Sequence, residues 1–198
     1  MRFILRSIVR NLLEGHFLRK TVDTIDKLLG CLARFLYSFT QKTKNNKVVF
    51  YTKENQYSCN PKYICEELLK RNVPVDIVWA ADADQRSIIP GKCRLVEKLS
   101  SDFYEDLLTA KIIVTNSILY TDYRYRLRKD QKVIQTWHGS LGFKKIGKDE
   151  NKSSLRFVKA AFQSARMTDC CITNSEFENE VMRSTYWPDT KLLEYGHA

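Results

Sequence analysis

The sequence predicts an α/β fold built on a parallel sheet with helices on both faces, and three observations carry that prediction. From about residue 48 onward, short apolar runs rich in Val and Ile alternate with segments of helical periodicity. The runs are apolar throughout rather than at every second residue, which is the pattern of strands covered on both sides. At 198 residues, 43% hydrophobic and 12% aromatic, the chain can bury the core such a sheet needs.

The amino-terminal segment has a different character. Phe3, Ile4, Ile8, Leu12 and Leu13 recur at three- and four-residue intervals, with Arg2, Arg6 and Arg10 on another side, which predicts an amphipathic helix. A second such helix is expected from Val22 to Phe39, with Leu28, Leu29, Leu32, Phe35, Leu36 and Phe39 on its apolar face; Gly15 and His16 mark the break between the two. "QKTKNNK" (41–47) has no apolar residue and reads as a linker. Residues 1–46 are therefore expected to form a basic amphipathic helical segment with its linker, and residues 47–198 a single α/β domain.

The domain then unfolds element by element. "VVFYT" (48–52) is a strand, and "NPKYICEELLKRN" (60–72) a helix with Asn60 as cap and Pro61 at the first helical position. "VDIVWA" (75–80) and "CRLVE" (93–97) are strands, followed by a helix over 101–109 and the strand "KIIVTN" (111–116). After an aromatic, basic loop come "KVIQTW" (132–137), a helix near 153–166 and "DCCITN" (169–174). Ser175 and Glu178 are spaced as a capping box opening "SEFENEVMRS". This alternation is a Rossmann-like half. Ligands of such sheets bind beyond the carboxyl ends of the strands, where Asn116, Trp137, His138 and Asn174 fall.

Composition narrows the function. Of the net charge of +10, residues 1–47 hold +7, from ten Lys/Arg against three acids. A basic segment that is also apolar points to an anionic surface, either phospholipid headgroups or nucleic acid, or to helices that simply pack on the domain. No nucleic-acid reader motif is present, which places nucleic acid last. Six cysteines match no disulfide framework and no CxxC pair, so ordinary thiols in a reducing cytosol are expected, Cys170 and Cys171 as buried small hydrophobes. Three histidines without a clustered ligand set predict no metal site, and no cofactor is expected. No apolar run near 18 residues and no signal peptide occurs in residues 1–40. Neither GxGxxG nor GxxxxGK[ST] occurs, so the dinucleotide fingerprint and the P-loop are missing.

One stretch concentrates chemistry. In "QTWHGSLGFKKIGKD" (135–149) a strand runs into a Trp-His-Gly turn, and Lys144, Lys145 and Lys148 follow within five residues of each other. A titratable imidazole beside a glycine and several cations suits phosphate chemistry; a lone histidine after a strand is, taken by itself, more often a packed residue.

This stretch resembles the "QTWHGTPLKKIGKD"-like motif of the CDP-glycerol glycerophosphotransferase family, the teichoic acid primases and polymerases. "SCNPKYICEELLKR" (58–71), "IVW" (77–79), "AKIIVTNS" (110–117), "TNSEFE" (173–178) and "LEYGHA" (193–198) agree in order, so the resemblance covers about residues 47–198. It implies the N-terminal half of a GT-B fold, acceptor-side, with the donor domain that holds most of the CDP-glycerol site absent from this chain. It also implies transfer of glycerol phosphate from CDP-glycerol to a lipid-linked or polyol-phosphate acceptor, at the inner face of the cell membrane. His138 would be the catalytic base, and Gly139, Ser140, Lys144, Lys145, Lys148, Asn116 and Asn174 the substrate-binding residues. Where the family commonly has Thr-Pro-Leu, this chain has Ser140, Leu141, Gly142 and Phe143, which implies a different acceptor or polymer. The competing reading is a non-catalytic, membrane-associated interaction module that keeps the fold.

Overall fold

The computed structural model of the protein describes residues 29, 30, 32, 33, 36, 39–98, 100–118, 127–139 and 155–197. Two compact units are distinguished, Met1–Thr40 with Tyr123–Arg126, and Gln41–Asp122 with Leu127–Ala198. In the first, the described residues between 29 and 40 are helical, and Leu29, Leu32, Leu36 and Phe39 are exposed. The first expected amphipathic helix and most of the second lie outside the described residues.

The second unit is built on a seven-stranded parallel sheet of order β3-β2-β1-β4-β5-β6-β7. Its strands are β1 (Lys44–Tyr51), β2 (Asp76–Ala80), β3 (Arg94–Val96), β4 (Ala110–Thr115), β5 (Lys132–Gln135), β6 (Cys170–Thr173) and β7 (Lys191–Glu194). The helices are α1 (Cys59–Lys70), α2 (Ser101–Thr109), α3 (Leu155–Arg166) and α4 (Glu176–Ser184), with a 3₁₀ turn at Ala83–Ser87. β1 pairs with β2 on one side and β4 on the other, so the direction of winding reverses between β1 and β4. In open sheets of this kind ligands bind beyond the carboxyl ends of the strands at such a reversal.

Two apolar clusters sandwich the sheet's strands with helices. One joins Val48, Phe50, Ile77 and Trp79 to Cys65 of α1, Tyr57 and Cys93. Phe50 stacks on Trp79 at 5.2 Å and Tyr57 meets the same indole edge-on at 4.6 Å. The other gathers Trp137, Cys171, Met182, Tyr186 and Trp187 with Ala161 and Ala165 of α3. Each large side chain buried this way contributes about 1.5–3 kcal/mol.

The local reasons for the elements are visible. The Ser100 hydroxyl accepts from the Phe103 amide and starts α2, and Ser175 does the same for Glu178 at the start of α4. Pro61 falls in the first turn of α1, where its missing N–H has no helical acceptor to lose. The N-cap of α1 is Ser58, not the expected Asn60, which lies inside the first turn and whose side-chain NH2 reaches partners elsewhere in the fold.

The expected linker is likewise corrected, since β1 begins at Lys44 and its polar half pairs with Ala110 and Asp76. Lys47 is buried there, its ammonium bound to Asp106 of α2 and to the Thr109 hydroxyl at 3.0 Å. Arg94, at the start of β3, makes a two-pronged bond to the same carboxylate. An apolar-periodicity reading ends the strand at Val48 because it has no means of seeing a lysine neutralised in the core. β7 and the 3₁₀ turn were not expected from the sequence; β7 carries only two apolar residues, Leu192 and Leu193.

Candidate functional site at the carboxyl ends of the strands

The Trp-His-Gly turn is fixed from several directions before its chemistry begins. Gln135, fully buried, accepts from the Trp137 amide at 2.9 Å and donates to the Ser117 carbonyl at 2.9 Å, which ties the turn to the end of β4. The Thr136 amide donates to the Thr115 carbonyl at 2.8 Å. Trp137 adopts φ 55°, a left-handed conformation that is uncommon for a large side chain. Its indole is buried against Trp187 at 5.3 Å, and that packing holds the backbone there. Trp137 is thus a packed residue of the turn, and the bend it makes brings the next residue, half-buried His138, to Asn116 and Lys53 at the carboxyl ends of β4 and β1.

His138 Nδ1 lies 2.6 Å from the carbonyl oxygen of Asn116. A carbonyl only accepts, so Nδ1 carries the hydrogen and, in the neutral ring, Nε2 keeps its lone pair. Nε2 faces the ammonium of Lys53, 3.4 Å away. Asn116, buried after β4, also accepts from the Lys53 backbone amide at 2.9 Å through its side chain. One residue therefore holds both: its main chain orients His138 and its amide orients Lys53.

A second histidine stands nearby in the network. The Asn60 amide donates to the Thr136 carbonyl at 3.0 Å and meets His197 Nδ1 at 3.1 Å. His197 Nε2 donates to Glu178 at 3.0 Å, and the other oxygen of this buried carboxylate accepts from the Asn174 amide at 2.6 Å. α1, β5, α4 and the segment after β7 are joined by that chain of bonds.

Of the residues expected at the site, Asn116 and His138 are brought together. Asn174 is at the end of β6, exposed, with its side-chain oxygen accepting from the Ser175 hydroxyl at 2.8 Å; its recorded partners are local. Among the described residues a Cβ on Gly139 would meet no atom within 4 Å, so none of these requires glycine there. Ser140, Lys144, Lys145 and Lys148 lie outside the described residues. Sequence reasoning missed Lys53, Asn60, Glu178 and His197. A cation one residue past the buried Thr52, at the first strand of a Rossmann-like half, was the available signal for Lys53. Among the described residues no group of His, Cys, Asp and Glu is arranged to hold a metal ion, and no helix is long and apolar enough to cross a membrane. Cys59, Cys65, Cys93, Cys170 and Cys171 are free thiols, and burial raises the pKa of Cys170 and Cys171.

Comparison with known proteins adds relatives to this geometry. The family described as CDP-glycerol:poly(glycerophosphate) glycerophosphotransferase matches residues 33–197. A teichoic acid poly(glycerol phosphate) polymerase of Staphylococcus epidermidis is 26% identical over 175 residues, 83% of this chain and 24% of its own. A teichoic acid poly(ribitol-phosphate) polymerase of Bacillus spizizenii is 29% identical over 146 residues, 72% of this chain and 23% of its own. Among solved structures, a variant of the wall teichoic acid polymerase TagF superposes with a TM-score of 0.75 at 24% identity, covering 91% of this chain and 46% of that one. The variant soaked with CDPG gives 0.71 at 23% identity, covering 91% and 48%. The fold is therefore similar to that of the matched part of TagF, GT-B-like, and the chain spans about a quarter of the length of these curated relatives and just under half of the solved chains.

Proposed function

The chain belongs to the CDP-glycerol:poly(glycerophosphate) glycerophosphotransferase family, and from that premise we propose that it supplies the acceptor-side wall of an enzyme that transfers glycerol phosphate from CDP-glycerol to a lipid-linked or polyol-phosphate acceptor. The observation that carries the reading is the His138 ring, held through Nδ1 by a carbonyl so that Nε2 is the basic nitrogen at the winding reversal of the sheet. An alcohol is a poor nucleophile near neutral pH and needs such a base within hydrogen-bonding distance.

In the proposed step the acceptor hydroxyl gives its proton to Nε2 as its oxygen forms a bond to the phosphorus that bears glycerol. The bond from that phosphorus to the phosphate oxygen of CMP breaks, and CMP leaves with the electron pair. Lys144, Lys145 and Lys148 are proposed to balance charge on the phosphoryl oxygens. Ser140, beside Gly139, is proposed to contact the acceptor, and Asn174 to shape the far side of the site.

In-line transfer needs the donor positioned from both walls of a cleft. We place donor recognition mainly outside these 198 residues, so the isolated chain is expected to release no CMP. The net charge of +6 on residues 1–46, from nine Lys/Arg against three acids, and the exposed Leu29, Leu32, Leu36 and Phe39 support a peripheral position at the anionic inner face of the membrane. The test is CMP release from CDP-glycerol, with CDP-ribitol in parallel, by the longest reading frame that contains this chain, using membranes as acceptor. No release from either donor would refute the reading.

A further inference from the structure

Three features set Lys53 apart. The first is its place: it follows β1 at the winding reversal, where β1 pairs with β4, while His138 arrives from β5, 85 residues later in the chain. The second is its rigidity. Its backbone amide is held by Asn116, and the loop it opens is closed by the buried Thr52 hydroxyl, which donates to the Gln56 carbonyl at 2.7 Å and accepts from the Gln56 amide at 3.0 Å. Asp82 clamps the same loop through the Asn55 carbonyl at 2.9 Å. The third is its company. Among the described residues Lys53 is in no ion pair, and its ammonium faces the basic nitrogen of His138 at 3.4 Å. Lys47 and Lys132, by contrast, are each bound to a carboxylate.

We infer that Lys53 takes an anionic oxygen of the phosphate attacked through His138, an inference that rests on the function proposed above. In the unliganded chain the ammonium donates to Nε2. A hydroxyl bound at Nε2 takes that position, and the side chain, on a fixed Cα, moves its charge onto the phosphate beside it. The cation then serves twice. It neutralises the phosphoryl oxygens, and until substrate arrives it disfavours a second proton on His138, because an imidazolium N–H would meet an ammonium head-on.

The probe is inorganic phosphate, added to the 198-residue chain while the His138 ring signals are followed by NMR, with Lys53→Met and Lys53→Arg beside the parent. Phosphate should shift the His138 signals in the parent, with affinity at least fivefold weaker in Lys53→Met and within about twofold of the parent in Lys53→Arg, a rescue that a purely structural role does not give. Equal phosphate affinity in Lys53→Met and the parent, or no response of His138 to phosphate, would overturn the inference. Parallel titrations with CMP and with glycerol 3-phosphate distinguish a donor phosphate from the acceptor terminus. The NMR arm reads phosphate contact alone and CMP release reads the reaction. A Lys53-dependent shift without transfer in the longer frame would sink the reaction and leave Lys53 in place; transfer indifferent to Lys53→Met would do the reverse.

Discussion

Lys47 and Lys53 sit six positions apart along the same strand and its exit, and they lead opposite lives. Lys47, at the amino end of the sheet, is buried and bound to Asp106, which Arg94 also grips. Lys53, at the carboxyl end, is exposed and faces an imidazole. One cation has its anion built into the fold. The other has its backbone fixed and its charge left for a ligand. The two histidines repeat the contrast: His197 is clamped between the buried Glu178 carboxylate and Asn60, whereas His138 has one nitrogen on the Asn116 carbonyl and the other facing the exposed Lys53 ammonium. Stability and chemistry use the same residue types here, and what separates them is whether the partner is supplied by the chain.

The sharpest way to break this comparison is at Asp106. Asp106→Ala would leave the Lys47 ammonium buried with the Thr109 hydroxyl at 3.0 Å and no carboxylate nearer than Asp76, 3.9 Å away, and should cost about 3–5 kcal/mol in denaturant unfolding. The carboxyl of Asp106 would be raised by its burial, but hydrogen bonds from Arg94 and Lys47 outweigh this and hold it below the usual range. Its contribution is therefore complete above an ordinary carboxylate pKa of about 3.9 and is lost as pH falls through the lower folded value. Asp106→Asn should flatten the acid limb of a stability-against-pH curve below about pH 4.

At the other end, His138→Ala should reduce transfer by the longer frame at least about a hundredfold, equivalent to about 2.7 kcal/mol, with the melting temperature little changed. Near-normal turnover would remove His138 from the mechanism. His197→Ala should do less, about 1–2 kcal/mol of stability, because Glu178 keeps the Asn174 amide as a partner. The smallest effect belongs to Lys53→Met, expected to alter stability by no more than about 0.5 kcal/mol, since an exposed cation contributes little to folding. A large loss there would show that Lys53, like Lys47, is a structural residue.

Much of the fold was legible because strands and helices carry their own periodicity. The helix over Ser101–Thr109 and the apolar runs of β1, β2, β4, β5 and β6 follow from local pattern, and His138 from its motif. What was illegible depends on distant partners. The polar start of β1 is a strand only because Asp106 neutralises Lys47. The Ser175/Glu178 spacing formed half of a capping box, the Ser175 half; the Glu178 carboxylate went instead to the Asn174 amide and His197, a partner 19 residues away. Asn60 looked like a cap, but its amide joins β5 to the segment after β7. Lys53 carried only its place just past the first strand as a local mark, and its partner His138 appears only when β5 is laid beside β4.

The strand order also sets a timetable for folding. β1, α1 and β2 are neighbours in sequence and in space, so they can condense early, whereas pairing β1 with β4, and then adding β5, closes long loops of chain. Lys53 is present in the first unit to form, and His138 joins it only when the fifth strand docks. On refolding from denaturant, signals from the Trp79 environment should recover before those of Trp137. The capacity to bind phosphate should return with the later phase, so a chain stalled halfway would have a core and no site.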